Sequence, residues 1–278
     1  KYLYMDIKAF KMDGLGNDFV IIDQRNHNYN LTKDQIIKIC DRSFIGCDQL
    51  IYIQKSDKKD AGLEFYNSDG SISGACGNGT RCVADLISKE NSDKEIILWT
   101  SSGALKSKIL GNNLVETEIG IPKTNWNEIP LNKNLDTKNL NIKIVDKNNI
   151  EHVGGTSVNV GNPHLVFFVD NIEDYDLKEI GPQIENHNYF PEKCNVTLAK
   201  IISKKLIKVK VWERGAGLTK ACGTAACATV VAANINGLVD KKTDIEFELG
   251  KLSISIDQNN SIHMKGPVSD IENIEINI

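Results

Sequence analysis

Asn67-Ser68-Asp69-Gly70-Ser71-Ile72-Ser73-Gly74-Ala75-Cys76-Gly77-Asn78-Gly79-Thr80-Arg81-Cys82-Val83-Ala84 has an altered counterpart 146 residues further on. The second copy reads Glu213-Arg214-Gly215-Ala216-Gly217-Leu218-Thr219-Lys220-Ala221-Cys222-Gly223-Thr224-Ala225-Ala226-Cys227-Ala228. In both, a glycine- and polar-rich loop runs into Ala-Cys-Gly, and an apolar run follows that reads as a buried helix: Val83 to Ile87 in the first, Ala228 to Ala233 in the second. A thiol at a helix start meets unpaired backbone N–H groups and the positive end of the helix dipole. Both favour thiolate and can hold an anion beside it.

The same offset keeps register elsewhere, which a chance motif match would not. Gly16-Asn17-Asp18-Phe19 answers to Gly161-Asn162-Pro163-His164 one residue short of that offset, Gln49 falls on Asn195, and Gly120 falls on Gly266. Gly103 and Gly250 each lie between two strand-like runs, Glu95 to Thr100 and Ala104 to Leu110 in the first copy, Ile245 to Leu249 and Lys251 to Ile256 in the second. The chain therefore reads as two homologous domains, 5–122 and 123–266, joined where Pro, Asn and Lys replace the apolar pattern between Pro122 and Pro130. Met5 reads as the native start, and Lys1 to Tyr4 are set aside.

Within each half the pattern is strand-rich with one dominant buried helix. Phe19 to Asp23, Gln49 to Gln54 and Gly62 to Tyr66 are short β-branched or aromatic runs, and Leu206 to Trp212 alternates so that Ile207, Val209 and Val211 share a face. Thr32 is placed to cap a surface helix over Lys33 to Cys40. Asn132 to Asn149 is Asn/Lys-rich and reads as a hairpin or loose surface loop.

Bulk composition narrows the function. At 278 residues the chain has room for two real cores, and Lys+Arg 33 against Asp+Glu 37 gives a net charge of −4 without a block of like charge. That argues against nucleic acid and membrane partners and for a small molecule. No apolar run reaches a membrane span and no signal-peptide core is evident, so a cytoplasmic location is expected. Seven cysteines, an odd number, read as free thiols. Cys40, Cys47, Cys82, Cys194 and Cys227 sit among apolar or loop neighbours and read as structural. No metal-ligand spacing and no nucleotide-binding loop is present, and no cofactor is expected.

Two matched thiols suit inversion of a stereocentre. One group removes the α-proton of an amino acid from one face while the other delivers a proton to the opposite face, and backbone N–H groups of Gly77, Asn78, Gly223 and Thr224 can meet the charge developing on the carboxylate. His164 reads either as a strand-entry hydrogen bond or as a neighbour of the site.

These residues resemble the diaminopimelate epimerases. The resemblance covers essentially the whole chain from Met5 and rests on Asp13 to Phe19, Asn67 to Gly70, Ala75 to Cys82, Gly161 to His164, Glu213 to Gly217 and Ala221 to Thr224. It implies a cofactor-independent isomerase that interconverts LL- and meso-diaminopimelate for lysine and peptidoglycan precursors, with Cys76 and Cys222 as the two bases. It further implies that Asn17, Gln49, Asn67, Gly77, Asn78, Asn162, Asn195, Glu213, Arg214, Gly223 and Thr224 bind substrate. The implied fold is α/β (α+β): two pseudo-twofold domains, each a curved mixed β-sheet wrapped round a central helix, with the active site in the interdomain cleft and segment 267–278 completing the first domain. The chain departs from the family pattern at Leu218 and at Gly74-Ala75. A homodimer is left open. Two rivals share the cysteines: a proline or hydroxyproline racemase, whose substrate has no distal group for Arg214, and a thiol redox or amino-acid-binding protein.

Overall fold

A computed structural model describes residues 6–74, 76–101 and 103–278. The expectations for Met5 and for Ala75 lie outside the described residues. The chain divides into two compact units, one holding the chain up to Glu118 together with Lys265–Ile278, the other Ile119–Met264.

In chain order the first unit contains β1 (Asp6–Gly14), β2 (Asn17–Asp23), α1 (Lys33–Cys40), β3 (Gln49–Gln54), β4 (Ala61–Asn67), β5 (Ile72–Ser73), α2 (Gly77–Asn91), β6 (Glu95–Thr100), β7 (Gly103–Gly111) and most of β8 (Leu114–Gly120). The second contains β9 (Ile142–Val145), β10 (Glu151–Gly154), β11 (Thr156–Asn159), β12 (Pro163–Phe168), α3 (Leu177–Glu185), β13 (Asn195–Ser203), β14 (Leu206–Glu213), β15 (Gly217–Thr219), α4 (Gly223–Ile235), β16 (Lys242–Phe247), β17 (Gly250–Ile256) and the first half of β18 (Ile262–Pro267). The last strand, β19 (Glu272–Asn277), returns to the first unit and pairs antiparallel with β1, Asp6 facing Asn277.

The fold is mixed α+β, and the two units repeat one pairing scheme. In the first, β1–β2 is antiparallel, β2–β3 parallel, β3–β4 and β4–β5 antiparallel, β4–β6 parallel and β6–β7 antiparallel. In the second, β11–β12, β12–β13, β13–β14, β14–β15, β14–β16 and β16–β17 follow the same sequence of directions. Even the hairpin register recurs, with Thr100 opposite Gly103 and Phe247 opposite Gly250. Both glycines sit at positive φ, 108° and 145°, a backbone that a side chain resists.

The central helices are buried for different reasons of composition. Every residue of α4 from Ala225 to Ala233 is buried, and its small apolar side chains let strands β11, β12, β13, β16 and β17 approach on several sides. α2 packs against β1, β2, β6 and β7 and buries Thr80 to Ser88, including Arg81 and an Asp85 carboxylate paired with Lys89. On β14, Ile207, Val209 and Val211 turn inward together, and α1 spans the residues read from sequence. Thr32 and Gln35 close a reciprocal capping box at its start.

Of the two readings of the Asn/Lys-rich stretch after residue 131, the hairpin describes its end, where β9 turns back into β10. The stretch is not all surface, because Leu140, Ile142 and Ile144 are buried in the second unit's core with Ile129 and Leu131. β9 pairs with β10 in a two-stranded ribbon whose inner face supplies Ile142 and Ile144 while Lys143 and Glu151 form an ion pair outside. Polar composition there reflects one face of an alternating strand.

Candidate active site

Both central helices begin on the cysteine. Cys76 is the N-cap of α2 and Cys222 the N-cap of α4, each with extended backbone (φ −111° and −141°), and neither caps its helix through its side chain. Neither first turn contains an acidic residue, so the amide ends that follow the cysteines keep their positive character. Gly77 and Asn78 are the first residues of α2, and Gly223 and Thr224 the first of α4.

In the first unit, Cys76 Sγ lies 3.6 Å from Asn17 Oδ1, and Asn78 Nδ2 donates to the same oxygen at 3.3 Å. Asn17 Nδ2 donates to Asp48 Oδ2 at 2.9 Å. The parallel register that sets Phe19 opposite Gln49 delivers β2 and β3 side by side, with Asn17 and Asp48 at their starts. Gln49 Nε2 donates to Asn67 Oδ1 and to Ser73 Oγ, both at 3.0 Å, and Asn67 Nδ2 donates to Ser71 Oγ at 3.1 Å. Asn17, Asn78 and Cys76 therefore form one cluster, and Gln49 with Asn67 a second.

In the second unit, Cys222 is 6% exposed and its Sγ lies 3.4 Å from Thr224 Oγ1, a hydroxyl that can donate to a thiolate or accept from a thiol. Asn195, first residue of β13, accepts the Arg214 N–H at 2.9 Å and donates to Pro163 O at 2.9 Å. Arg214 is exposed and donates through Nη1 to Glu192 O at 2.8 Å. Glu213 Oε1 accepts from Thr219 Oγ1 on β15. His164 is buried and its Nε2 lies 2.8 Å from Asn162 Oδ1. Burial, with the Arg214 charge nearby, lowers its pKa to about 3, so the ring is neutral at ordinary pH.

Sequence reasoning missed Asp48 and Glu185. Glu185, 7% exposed at the end of α3, accepts from Trp212 Nε1 and from the Gly215 N–H and so holds the turn carrying Glu213 and Arg214. Nothing marks either residue locally, since each acts on a segment distant in sequence. The remaining cysteines behave differently from the helix-start pair. Burial pushes the Cys82 and Cys194 thiols up, and Cys40 and Cys47 lie buried with sulfurs 3.5 Å apart. Leu218 is exposed on β15, and Gly74 is exposed just before α2. Among the described residues, no group of three His, Cys, Asp or Glu side chains is placed to hold a metal ion, and no helix is long and apolar enough to cross a membrane.

The fold is shared by solved structures. A phenazine biosynthesis protein of the PhzF family from Bacillus anthracis superposes with a TM-score of 0.68, covering 99% of this chain and 100% of its own at 14% identity. A hydroxyproline epimerase from Agrobacterium vitis superposes at 0.67, covering 98% and 93% at 10% identity. At such identities the likeness is one of fold. The sequence model described as diaminopimelate epimerase matches residues 9–124 and 156–271. The diaminopimelate epimerase of Pelagibacter ubique is 77% identical over 274 residues, which cover 99% of this chain and 100% of that protein. This chain belongs to the diaminopimelate epimerase family.

Proposed function

We propose that the chain interconverts LL- and meso-2,6-diaminopimelate in the cytoplasm by two-base proton transfer, with Cys76 and Cys222 as the acid/base pair. The observation that carries this reading is that each central helix starts on a cysteine, with the first-turn amides left uncapped by that side chain. One thiolate removes the α-proton, the electron pair moves into the carboxylate as an enediolate, and the opposite thiol supplies a proton to the other face. The product is the inverted centre, with thiol and thiolate exchanged. Gly77, Asn78, Gly223 and Thr224 offer N–H groups to the developing negative charge, which no metal or cofactor need then absorb.

The distal amino-acid group distinguishes this substrate from proline. Arg214, tied through one guanidinium nitrogen to Glu192 O, keeps its other N–H groups for a carboxylate, and Asn67, Asn162, Asn195 and Glu213 supply donors and acceptors. Incubation in deuterium oxide with LL-diaminopimelate tests the proposal. Early meso product carrying solvent deuterium, with unlabelled remaining substrate, is expected of two bases. Equal labelling of both isomers would indicate a single base, and turnover of proline in place of diaminopimelate would favour the rival racemase reading.

A further inference from the structure

An amide side chain can be placed either way round, so the 3.6 Å contact between Cys76 Sγ and Asn17 does not by itself say whether sulfur meets an acceptor or a donor. Asp48 decides it. Its Oδ2 takes the Asn17 side-chain N–H at 2.9 Å, and an ionised carboxylate only accepts. The nitrogen of Asn17 therefore faces Asp48 and the oxygen faces Cys76. Asn78 conforms by offering Nδ2 to that oxygen, although this leaves its own Oδ1 buried without a hydrogen bond.

Asp48 is itself braced. The Asp18 N–H donates to the same Oδ2 at 3.3 Å, while Oδ1 receives Arg42 Nη2 at 2.7 Å. Arg42 also forks onto Asp18, whose carboxylate accepts the Asp48 N–H at 2.9 Å. Burial of Asp18 opposes its ionisation, but the Arg42 and Asp48 hydrogen bonds, with the charges of Arg42 and Lys11, hold its carboxyl below the usual range. The second unit has no such device. Cys194 stands at the position corresponding to Asp48, and Asn162 is met by a histidine.

We infer that Asp48, braced by Arg42, is a positioning residue that fixes the Asn17 amide with its oxygen toward the Cys76 thiol. An oxygen there favours S–H over thiolate, so Asp48 sets which protonation state of this cysteine its surroundings support. Its importance for turnover rests on the assignment of Cys76 as an acid/base group, but the orientation itself does not.

The test is the pH dependence of iodoacetamide alkylation at Cys76 in the substrate-free protein, followed by peptide mass mapping with Cys222 as internal reference. Wild type is compared with Asp48→Ala and Asp48→Asn. The other charged groups near this end of α2, Asp13 on β1, Asp18 on β2, Arg42, Lys11, and Arg81 and Asp85 on α2, are unchanged in all three. In Asp48→Ala the freed amide can turn its nitrogen to the sulfur, and the Cys76 midpoint falls by about half a pH unit or more. Asp48→Asn keeps an accepting oxygen where Asn17 and the Asp18 N–H both donate, and its midpoint stays near wild type. Loss of negative charge alone would lower both variants alike, so equal shifts overturn the inference. An unshifted Asp48→Ala, or an equal shift at Cys222, overturns it too. Because the readout is alkylation, it succeeds or fails separately from the two-thiol mechanism.

Discussion

Trp212 Nε1 donates to Glu185 Oε2 at 2.8 Å, and the other oxygen of that carboxylate accepts the Gly215 N–H at 3.0 Å. One buried acid at the end of α3 thus grips both sides of Glu213-Arg214. The indole lies over α3 closely enough that a Cβ at Gly181 would stand 2.4 Å from its ring carbons. Helix α3 is in this way the backing of the turn that presents two of the proposed substrate contacts.

Glu185→Ala leaves the indole and the Gly215 N–H without their acceptor in a partly buried place. The expected cost is about 1–3 kcal/mol in urea unfolding, with a raised KM because the Glu213–Arg214 turn loses its anchor. An unchanged KM would separate Glu185 from the site.

Arg214→Lys keeps the charge but cannot reproduce a planar fork once one nitrogen is committed to Glu192 O. Steady-state kinetics should show a loss of about ten- to a hundredfold in kcat/KM for diaminopimelate. A value within twofold of wild type would remove Arg214 from the substrate contacts.

Gly79→Ala tests how tightly the first turn of α2 is seated. A Cβ there would lie 2.7 Å from Ile51 Cδ1, 3.0 Å from Phe65 and 3.2 Å from Phe19, all buried. Overpacking of this kind costs about 1–3 kcal/mol. The helix start must shift to relieve it, so kcat should fall along with the urea midpoint.

His164 makes stability depend on pH. Its folded pKa, about 3, lies below the ordinary 6.5, so between these values the unfolded chain binds a proton that the folded chain refuses. The stabilisation is full above about pH 6.5 and is lost progressively as pH falls toward 3, on the order of a few kcal/mol. The unfolding free energy of wild type should fall relative to that of His164→Gln as pH drops below 6.5; a pH-independent difference would contradict a buried neutral ring.

Much of the fold could be read from local pattern. Gln49–Gln54, Glu95–Thr100 and the capped helix Lys33–Cys40 have strong periodicity and clear ends, and the cysteine-bearing helices announce themselves through glycine loops entering apolar runs. β1 was not legible because Ala9-Phe10-Lys11 interrupts its alternation, and its pairing with β19 joins the two ends of the chain. α3 was missed for a related reason, since Gly181 and Pro182 argue against a helix and only packing on Trp212 explains the glycine. The site residues named from the motifs fall at strand ends and helix starts. What the motifs could not show was how the Asn17 amide is turned and how the Glu213–Arg214 turn is held, because Asp48 and Glu185 do this through contacts made only on folding.

If Cys76 and Cys222 each serve one face of the substrate, as proposed, the epimerisation rates of Cys76→Ala and Cys222→Ala, each shown by circular dichroism to be folded, must both collapse. Loss of either proton-transfer group should reduce kcat about a thousandfold or more, with both variants affected alike. Epimerisation within tenfold of wild type in either folded variant would show that the altered cysteine is not one of two required bases.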